Sequence, residues 1–445
     1  MRTGKTDLDR REFIGSVAAL GAAAVSGCAL PAKRVSSTAP ASAQAQSSGP
    51  LVVTKAPDGP LLKAGLIGCG GRGRGAALNF LDAGPHLQVT ALADIFADRV
   101  EAARRTLKDE RGQDIPDSRC FVGFDAYQKL LDTDVDVVLN ATPPHFRPMH
   151  FAAVVEARKH AFLEKPIAVD APGVRSAIDT GERAAKLGLS VLTGTQLRRE
   201  LNRIEVRKRV VGGAIGDITA VRAFRNQGAL WYRAPQPGWS EMEYMLRDWV
   251  NWTWLSGDII VEQHIHHLDA MLWVLGKPPV KAIGMGAHVR RPTGDQYDFF
   301  TIDYQYDDGV HMHSTIRQLN GCANQREEVL VGTKGSADLE GMIYDRSGKV
   351  VWKYTGPMGD SMVQEHADWV TAIRTGKPMN TVKETASATL IAILGRDSAY
   401  AGKMTTWDEL LASNERLGPT AYAMGPVSIK PSAPVPGADP GPPIA

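Results

Sequence analysis

Between residue 63 and about residue 194, short apolar runs alternate with amphipathic stretches. Val135 to Ala141, His160 to Leu163 and Leu189 to Thr193 are short enough to be buried strands, while Phe146 to Arg158 and Val174 to Leu187 repeat apolar residues at helical spacing. This alternation predicts an α/β protein whose N-terminal domain, 61–194, is a doubly wound parallel sheet. After Gln196 the texture becomes β-rich: Ile218 to Arg225, Val280 to Val289, Tyr297 to Tyr306, Val310 to Arg317 and Glu327 to Val331, several with period-two alternation. These runs predict a mainly antiparallel second α/β domain over 195–412. One helix is expected from Gly257 to Leu275 and another from Thr385 to Tyr400, ahead of Thr406-Trp407-Asp408-Glu409-Leu410.

The first apolar run, Lys63-Ala64-Gly65-Leu66-Ile67, leads into Gly68-Cys69-Gly70-Gly71-Arg72-Gly73 and then a helical pattern. In that context G-x-G-x-x-G is a dinucleotide fingerprint. The first Gly permits the tight turn, the second lets backbone N–H groups approach a pyrophosphate, and the third lets helix pack on strand. Asp94 closes the next run, Leu87 to Ala93, where a carboxylate can accept hydrogen bonds from the adenosine ribose. A free carboxylate there repels a 2′-phosphate, so NAD is expected over NADP, with Arg99 close enough in sequence to temper the preference. Arg72 and Arg74 are candidate pyrophosphate contacts.

Both ends of the chain differ from this body. Arg10-Arg11-Glu12-Phe13-Ile14 is a twin-arginine pattern followed by an apolar stretch to Leu30, which is rich in Gly and Ala and barely reaches the ~18 apolar residues of a membrane span. Export to the periplasm or cell envelope is expected. Val25-Ser26-Gly27-Cys28 resembles a lipobox, which would make Cys28 a lipidated mature N-terminus, with ordinary cleavage as the alternative. Residues 31–60 read as a flexible tether, and the Pro-rich tail, 413–445, is expected to be unstructured from Pro426.

Composition narrows the partners. A net charge of +2 on 445 residues offers no basic stripe for nucleic acid, so a small polar molecule is the expected partner. Cys28, Cys69, Cys120 and Cys322 have neither disulfide nor zinc spacing.

The glycine fingerprint, Thr142-Pro143 after the fourth predicted strand, Glu164-Lys165-Pro166 after the fifth, and a His/Asp cluster near residue 266 together resemble the Gfo/Idh/MocA family of sugar and inositol oxidoreductases. The resemblance covers about residues 62–412. It implies a Rossmann domain followed by an α/β domain with a large open sheet, which commonly forms the family's homo-oligomer interface, in a dimer or tetramer. It places Gly68, Gly70, Gly71, Arg72, Gly73, Asp94, Thr142, Pro143, Glu164 and Lys165 at the cofactor. Aligned on the family's Asp-x-x-x-His-x-x-Asp, Glu262 takes the first Asp position, His266 the His and Asp269 the last Asp, along one helical face. Glu262 departs from the family's Asp by one methylene, and Arg147 stands where many relatives have His.

Neutral His266 is the expected general base for a carbinol hydroxyl, with Lys165 hydrogen-bonding the same oxygen and Glu262 orienting substrate or imidazole. Asp269 supports the helix or His266. A metal is not expected, because on a helix His264 and His266 point about 200° apart, and His267 reads as packing. Trp231, Tyr232, Arg247, Asp248 and Trp254, with Arg147 and Asp269, are candidate substrate-binding residues, since sugars stack C–H faces on aromatic rings and bridge Arg and Asp. Arg198, Arg199 and Arg326 are further candidates. The expected function is an exported NAD(P)-dependent oxidoreductase of sugars, sugar derivatives or cyclitols with a tightly bound, recycled cofactor. The alternatives are an NAD-dependent glycosidase acting by transient oxidation and elimination, and a non-catalytic sugar-binding protein.

Overall fold

The computed structural model describes residues 53–437, so the twin-arginine segment and Cys28 lie outside the described residues. The first sheet is built from β1 (Leu62–Ile67), β2 (Leu87–Asp94), β3 (Cys120–Val122), β4 (Val137–Asn140), β5 (His160–Leu163) and β6 (Val191–Thr193). Every pair is parallel, in the order β3-β2-β1-β4-β5-β6. The order reverses between β1 and β4, which opens the crevice where such sheets take ligands. Helices α1 (Gly71–Leu81), α2 (Ala97–Arg111), α3 (Ala126–Leu131), α4 (Arg147–Glu156) and α5 (Ala171–Lys186) cover its faces. Strand β3 is the third strand that numbering the fourth and fifth predicted strands requires, yet its three half-exposed or exposed residues at the sheet edge carry no buried run to mark its place.

After α6 (Leu201–Val211), strand β7 (Ile218–Gln227) enters a second sheet. The chain then forms the short helices α7 (Glu241–Arg247), α8 (Thr253–Ser256) and α9 (Ile259–Glu262), and α10 (Ile265–Leu275). It returns through β8 (Lys281–Ala287), β9 (Phe299–Gln305), β10 (His311–Gln318), β11 (Gln325–Gly332), β12 (Gly335–Asp338), β13 (Met342–Asp345) and β14 (Val350–Lys353). Helices α11 (Ser361–Arg374) and α12 (Val382–Ala401), strand β15 (Thr405–Thr406) and α13 (Trp407–Ala412) follow. The nine strands lie in the order β14-β13-β12-β11-β7-β10-β9-β8-β15, antiparallel throughout except for β7 beside β10. Helix α12 is apolar almost all round and is correspondingly buried, packed on β8 and β9 and against α5 and α10. The opposite face of the sheet leaves Ile283 and Met285 in solvent.

Three expectations need correction. The helix expected from Gly257 to Leu275 is broken. Helix α9 ends at Glu262, the His264 N–H reaches back to the Ile259 carbonyl (3.1 Å), and α10 begins at Ile265, so Glu262 and Asp269 do not share one helix. The tether does not extend over residues 53–60: the Ala56 N–H bonds the Ala83 carbonyl (2.8 Å), and the Arg374 guanidinium holds the carbonyls of Pro57 and Pro60. The tail beyond Pro426 has no helix or strand, yet it is pinned as far as Pro434, whose carbonyl accepts the Tyr297 hydroxyl (2.9 Å).

The boundary near residue 194 is also crossed. Helix α11 packs on the first sheet's side, where Trp369 is fully buried near Phe80 and Phe162 and donates to the Ser190 carbonyl (3.2 Å). Its residues complete a core that local pattern assigned to the first domain alone.

Candidate active site

Gly68 has φ +91°, and a β-carbon at Gly73 would lie 1.8 Å from the Gly68 carbonyl oxygen, so both positions of the turn require Gly. Helix α1 starts at Gly71 with no side-chain cap, leaving its first N–H groups to face the crevice. The Asp94 carboxylate accepts the Cys69 N–H (2.7 Å) and the Phe96 N–H (3.0 Å), tying β2 to the turn. Burial pushes its pKa up, against those two donors and the nearby Arg99 cation.

Beside this turn is a cleft of about 340 Å³ that reaches from Gly68, Gly70 and Asp94 to Thr142, Pro143 and His150. Thr142 is fixed by its hydroxyl, which donates to Asn140 Oδ1 (2.8 Å). Phe96, Phe124, Leu246, Trp249 and Tyr422 close the far side, and Arg99 lies across Gly70. The exposed and shaped surface suits a dinucleotide: a bare helix N-terminus for the phosphates, a held carboxylate for the ribose, and aromatic walls for the base.

Lys165, Glu262 and His266 lie outside that cleft, past the end of β5. Lys165 is buried, and its Nζ donates to the Glu262 carbonyl (2.5 Å) and to Glu262 Oε1 (2.9 Å). Gln263 donates to the other carboxylate oxygen and is itself held by Arg225, through Nη1 to the Gln263 carbonyl and Nη2 to its side chain, both 2.9 Å. The break between α9 and α10 therefore presents Glu262 to Lys165. His266 is half-buried and has no hydrogen-bond partner among the described residues. Burial first, then the Lys165 and Arg225 cations, hold its pKa well below 6.5, so the ring is neutral.

Arg72, expected at the cofactor, is not among the residues that line the cleft and is turned to carboxylates. Its Nε donates to Glu164, and its Nη2 lies 3.8 Å from Glu365 Oε1. Burial raises the Glu164 carboxyl's pKa, but Arg72, Arg147 and Lys165 outweigh it and hold it low. Glu365, fully buried and with neither oxygen hydrogen-bonded, is pushed up to about 8 by burial and by Glu164. Arg147 is buried and donates to the Pro166 carbonyl, bracing the Glu164-Lys165-Pro166 segment; burial lowers its pKa to about 10.

The other expected wall residues are scattered. Asp269 is buried in a two-pronged pair with Arg198 (2.7 and 2.9 Å). Asp248 is also buried, accepting from the Arg233 N–H (2.7 Å), Asn251 and Thr293, which places it in loop construction. Arg247 spans to Asp98 and lies over the Phe96 ring (3.9 Å), at the nucleotide cleft. Trp254 is buried edge-on against His145 (4.9 Å). Trp231 and Tyr232 are exposed, with Trp231 packed edge-on against Trp249. Arg199 pairs with Asp368, and Arg326 with Glu340 at the surface. His264 is hydrogen-bonded to Ser314 Oγ (2.7 Å) and stacks on His267. Phe96, Phe124, His145, Tyr422 and Arg225 were not singled out from sequence; only the fold brings them to the site.

Two profile matches settle what this assembly belongs to. Residues 62–194 match an oxidoreductase family with an NAD-binding Rossmann fold, and residues 204–338 match the GFO/IDH/MocA C-terminal domain. The chain belongs to the Gfo/Idh/MocA oxidoreductases. Its first domain is the family's NAD-binding domain. Among curated relatives, a glycosyl hydrolase family 109 protein from Streptomyces coelicolor is 31% identical over 214 residues, 48% of this chain and 43% of the relative. D-glucoside 3-dehydrogenase from Escherichia coli is 32% identical over 174 residues, 39% of this chain and 44% of the relative. The matched segments thus span less than half the length of either relative. Scyllo-inositol dehydrogenase from Lactobacillus casei, solved with NAD(H) and scyllo-inositol, shares the fold at TM-score 0.60 and 18% identity, over 78% of this chain and 99% of that one.

Proposed function

We propose that this family member is an exported, NAD-dependent oxidoreductase that moves a hydride to or from a carbinol carbon of a sugar, sugar derivative or cyclitol, keeping and recycling one cofactor. The observation that carries this reading is Lys165 held against Glu262 at the end of β5, beside an unpartnered neutral His266 and following Glu164, which pairs with Arg72 of the glycine turn. NAD, when bound, supplies the hydride acceptor. Gly68, Gly70, Gly73, Asp94 and Thr142 would hold it, and NAD is preferred to NADP because the Asp94 carboxylate repels a 2′-phosphate. His266 takes the hydroxyl proton at a ring nitrogen, Lys165 Nζ hydrogen-bonds the same oxygen, and Glu262 and Arg147 fix the Lys165 segment.

The export reading rests on Arg10 and Arg11, and lipidation on Cys28. A soluble nicotinamide pool is not expected outside the cytoplasm, hence a retained cofactor. Homo-oligomerisation through the open sheet is supported by Ile283 and Met285, which stand exposed on it.

A second reading, glycoside cleavage by transient oxidation, elimination and re-reduction, is favoured by the matched segment of the glycosyl hydrolase family 109 relative. Denaturing the purified protein and identifying released nucleotide by mass spectrometry tests the retained cofactor; sugar and cyclitol pairs and glycosides are then supplied. Hydride exchange between two carbinols supports the oxidoreductase, and cleavage without net redox change supports the second reading. A protein that binds no nicotinamide nucleotide overturns both.

A further inference from the structure

Tyr422, one of the residues lining the nucleotide cleft, comes from residues 413–437, a segment without helix or strand. The Leu417 N–H donates to Asp170 Oδ2 (2.9 Å) at the start of α5. Gly418 then passes so close over both domains that a β-carbon would sit 2.7 Å from the His145 ring of the first and 2.9 Å from Trp254 of the second, at φ +98°. Only Gly allows that path. Tyr422 follows, its hydroxyl bonded to His145 Nε2 (2.7 Å) and its ring packed on Phe146 and Phe124 at 5.2 and 6.3 Å. Farther on, the Gly425 carbonyl accepts the Met242 N–H (3.0 Å), and the Val427 N–H donates to Glu241 Oε2 (2.7 Å).

The segment is thus fastened to the first domain at Asp170 and His145, and to the second at Glu241, Met242 and Tyr297. Tyr422 lines the cleft with Phe124 and Phe146, on which its ring packs, and lies between the Leu417 bond to Asp170 and the contacts with Glu241 and Met242. We propose that residues 413–437 are a strap that retains the nucleotide, with Tyr422 the side chain that covers it. The inference rests on the dinucleotide occupying this cleft. Burial keeps the His145 pKa at about 4, so the ring stays neutral and the Tyr422 bond persists across the neutral range. Release of nucleotide then requires Tyr422 to leave its aromatic seat, which slows dissociation more than association.

The test is stopped-flow release of NADH from the full-length protein, chased with excess NAD and read by NADH fluorescence. Tyr422→Ala is expected to speed release about tenfold or more, the order expected for losing one buried aromatic ring. Tyr422→Phe, which keeps the ring and loses the His145 bond, should change it by about threefold or less. Release from Tyr422→Ala within about twofold of the parent overturns the strap while leaving the cleft assignment intact. A parent protein that binds no NADH overturns both. Should Tyr422→Ala fail to fold, hydrogen exchange on the unmodified protein decides: amides 417–427 gain protection on NAD loading if the strap closes over nucleotide, and unchanged exchange overturns it.

Discussion

At the nucleotide end of the site, Phe96, Phe124, Trp249 and Tyr422 line an open cleft, and its recognition groups are backbone N–H donors and the tethered Asp94. Around Lys165 the cations are already engaged: Lys165 with Glu262, Arg72 with Glu164, Arg225 with the Gln263 carbonyl and side chain, and Arg147 with the Pro166 carbonyl. The difference teaches how precision is divided. Apolar walls tolerate a sliding fit, whereas in the proposed reaction a hydrogen bond to the reacting oxygen fails if its donor is misplaced by an ångström, and Lys165 is fixed by its neighbours before a substrate arrives.

The sharpest break of the comparison is to damage one end and read the other. Lys165→Ala and His266→Ala are each expected to lower kcat by about 10²- to 10⁴-fold, the usual range for proton-transfer groups, with NADH affinity and release unchanged. Normal turnover in both variants would remove them from the chemistry. Next in size is acid lability. Buried His150 (about 3), His366 (about 4), His264 and His267 all have depressed pKa values, so the unfolded chain takes up protons near pH 6.5 while the folded chain does not. Stability is therefore full above pH 6.5 and falls as pH drops, by about 1.4 kcal/mol per pH unit for each mismatched proton. Glu365, raised to about 8, acts in the opposite sense, losing stability as pH climbs from the ordinary carboxylate range towards 8. Denaturant unfolding from pH 7 to 5 measures the balance; a flat profile would contradict the buried, neutral imidazoles.

A smaller effect belongs to Asp94. Asp94→Ala should weaken NAD by about tenfold and NADP less, leaving kcat at saturation unchanged; an unaltered NAD/NADP ratio in equilibrium binding would show that Asp94 serves only the turn. The smallest is Arg247→Ala. Its pair with the exposed Asp98 contributes about 0–1 kcal/mol, so NAD binding should weaken no more than about fivefold with kcat and substrate KM intact. A changed substrate KM would return Arg247 to the substrate wall.

Much of this was legible in the chain because the signals are local. The glycine turn, Asp94 at the end of β2 and Glu164-Lys165-Pro166 after β5 depend on residues adjacent in sequence, and the structure keeps their order. The wall residues near Trp231 to Trp254 were not separable that way. Asp248 and Arg247 are neighbours in the chain, yet one is buried holding a loop and the other lies over Phe96, because a single residue step changes which body each side chain meets.

The sequence by itself determined the alternation of strands and helices, the dinucleotide turn and the family, since backbone sterics and burial periodicity act over a few residues. Only the tertiary structure decided that the helix through residues 257–275 breaks before His264, that α11 completes the first domain's core, and that the tail reaches Tyr422 into the cleft. Those outcomes rest on contacts between segments distant in sequence, such as Lys165 with Glu262 and His145 with Tyr422, and no local pattern encodes which distant partner will satisfy a buried polar group.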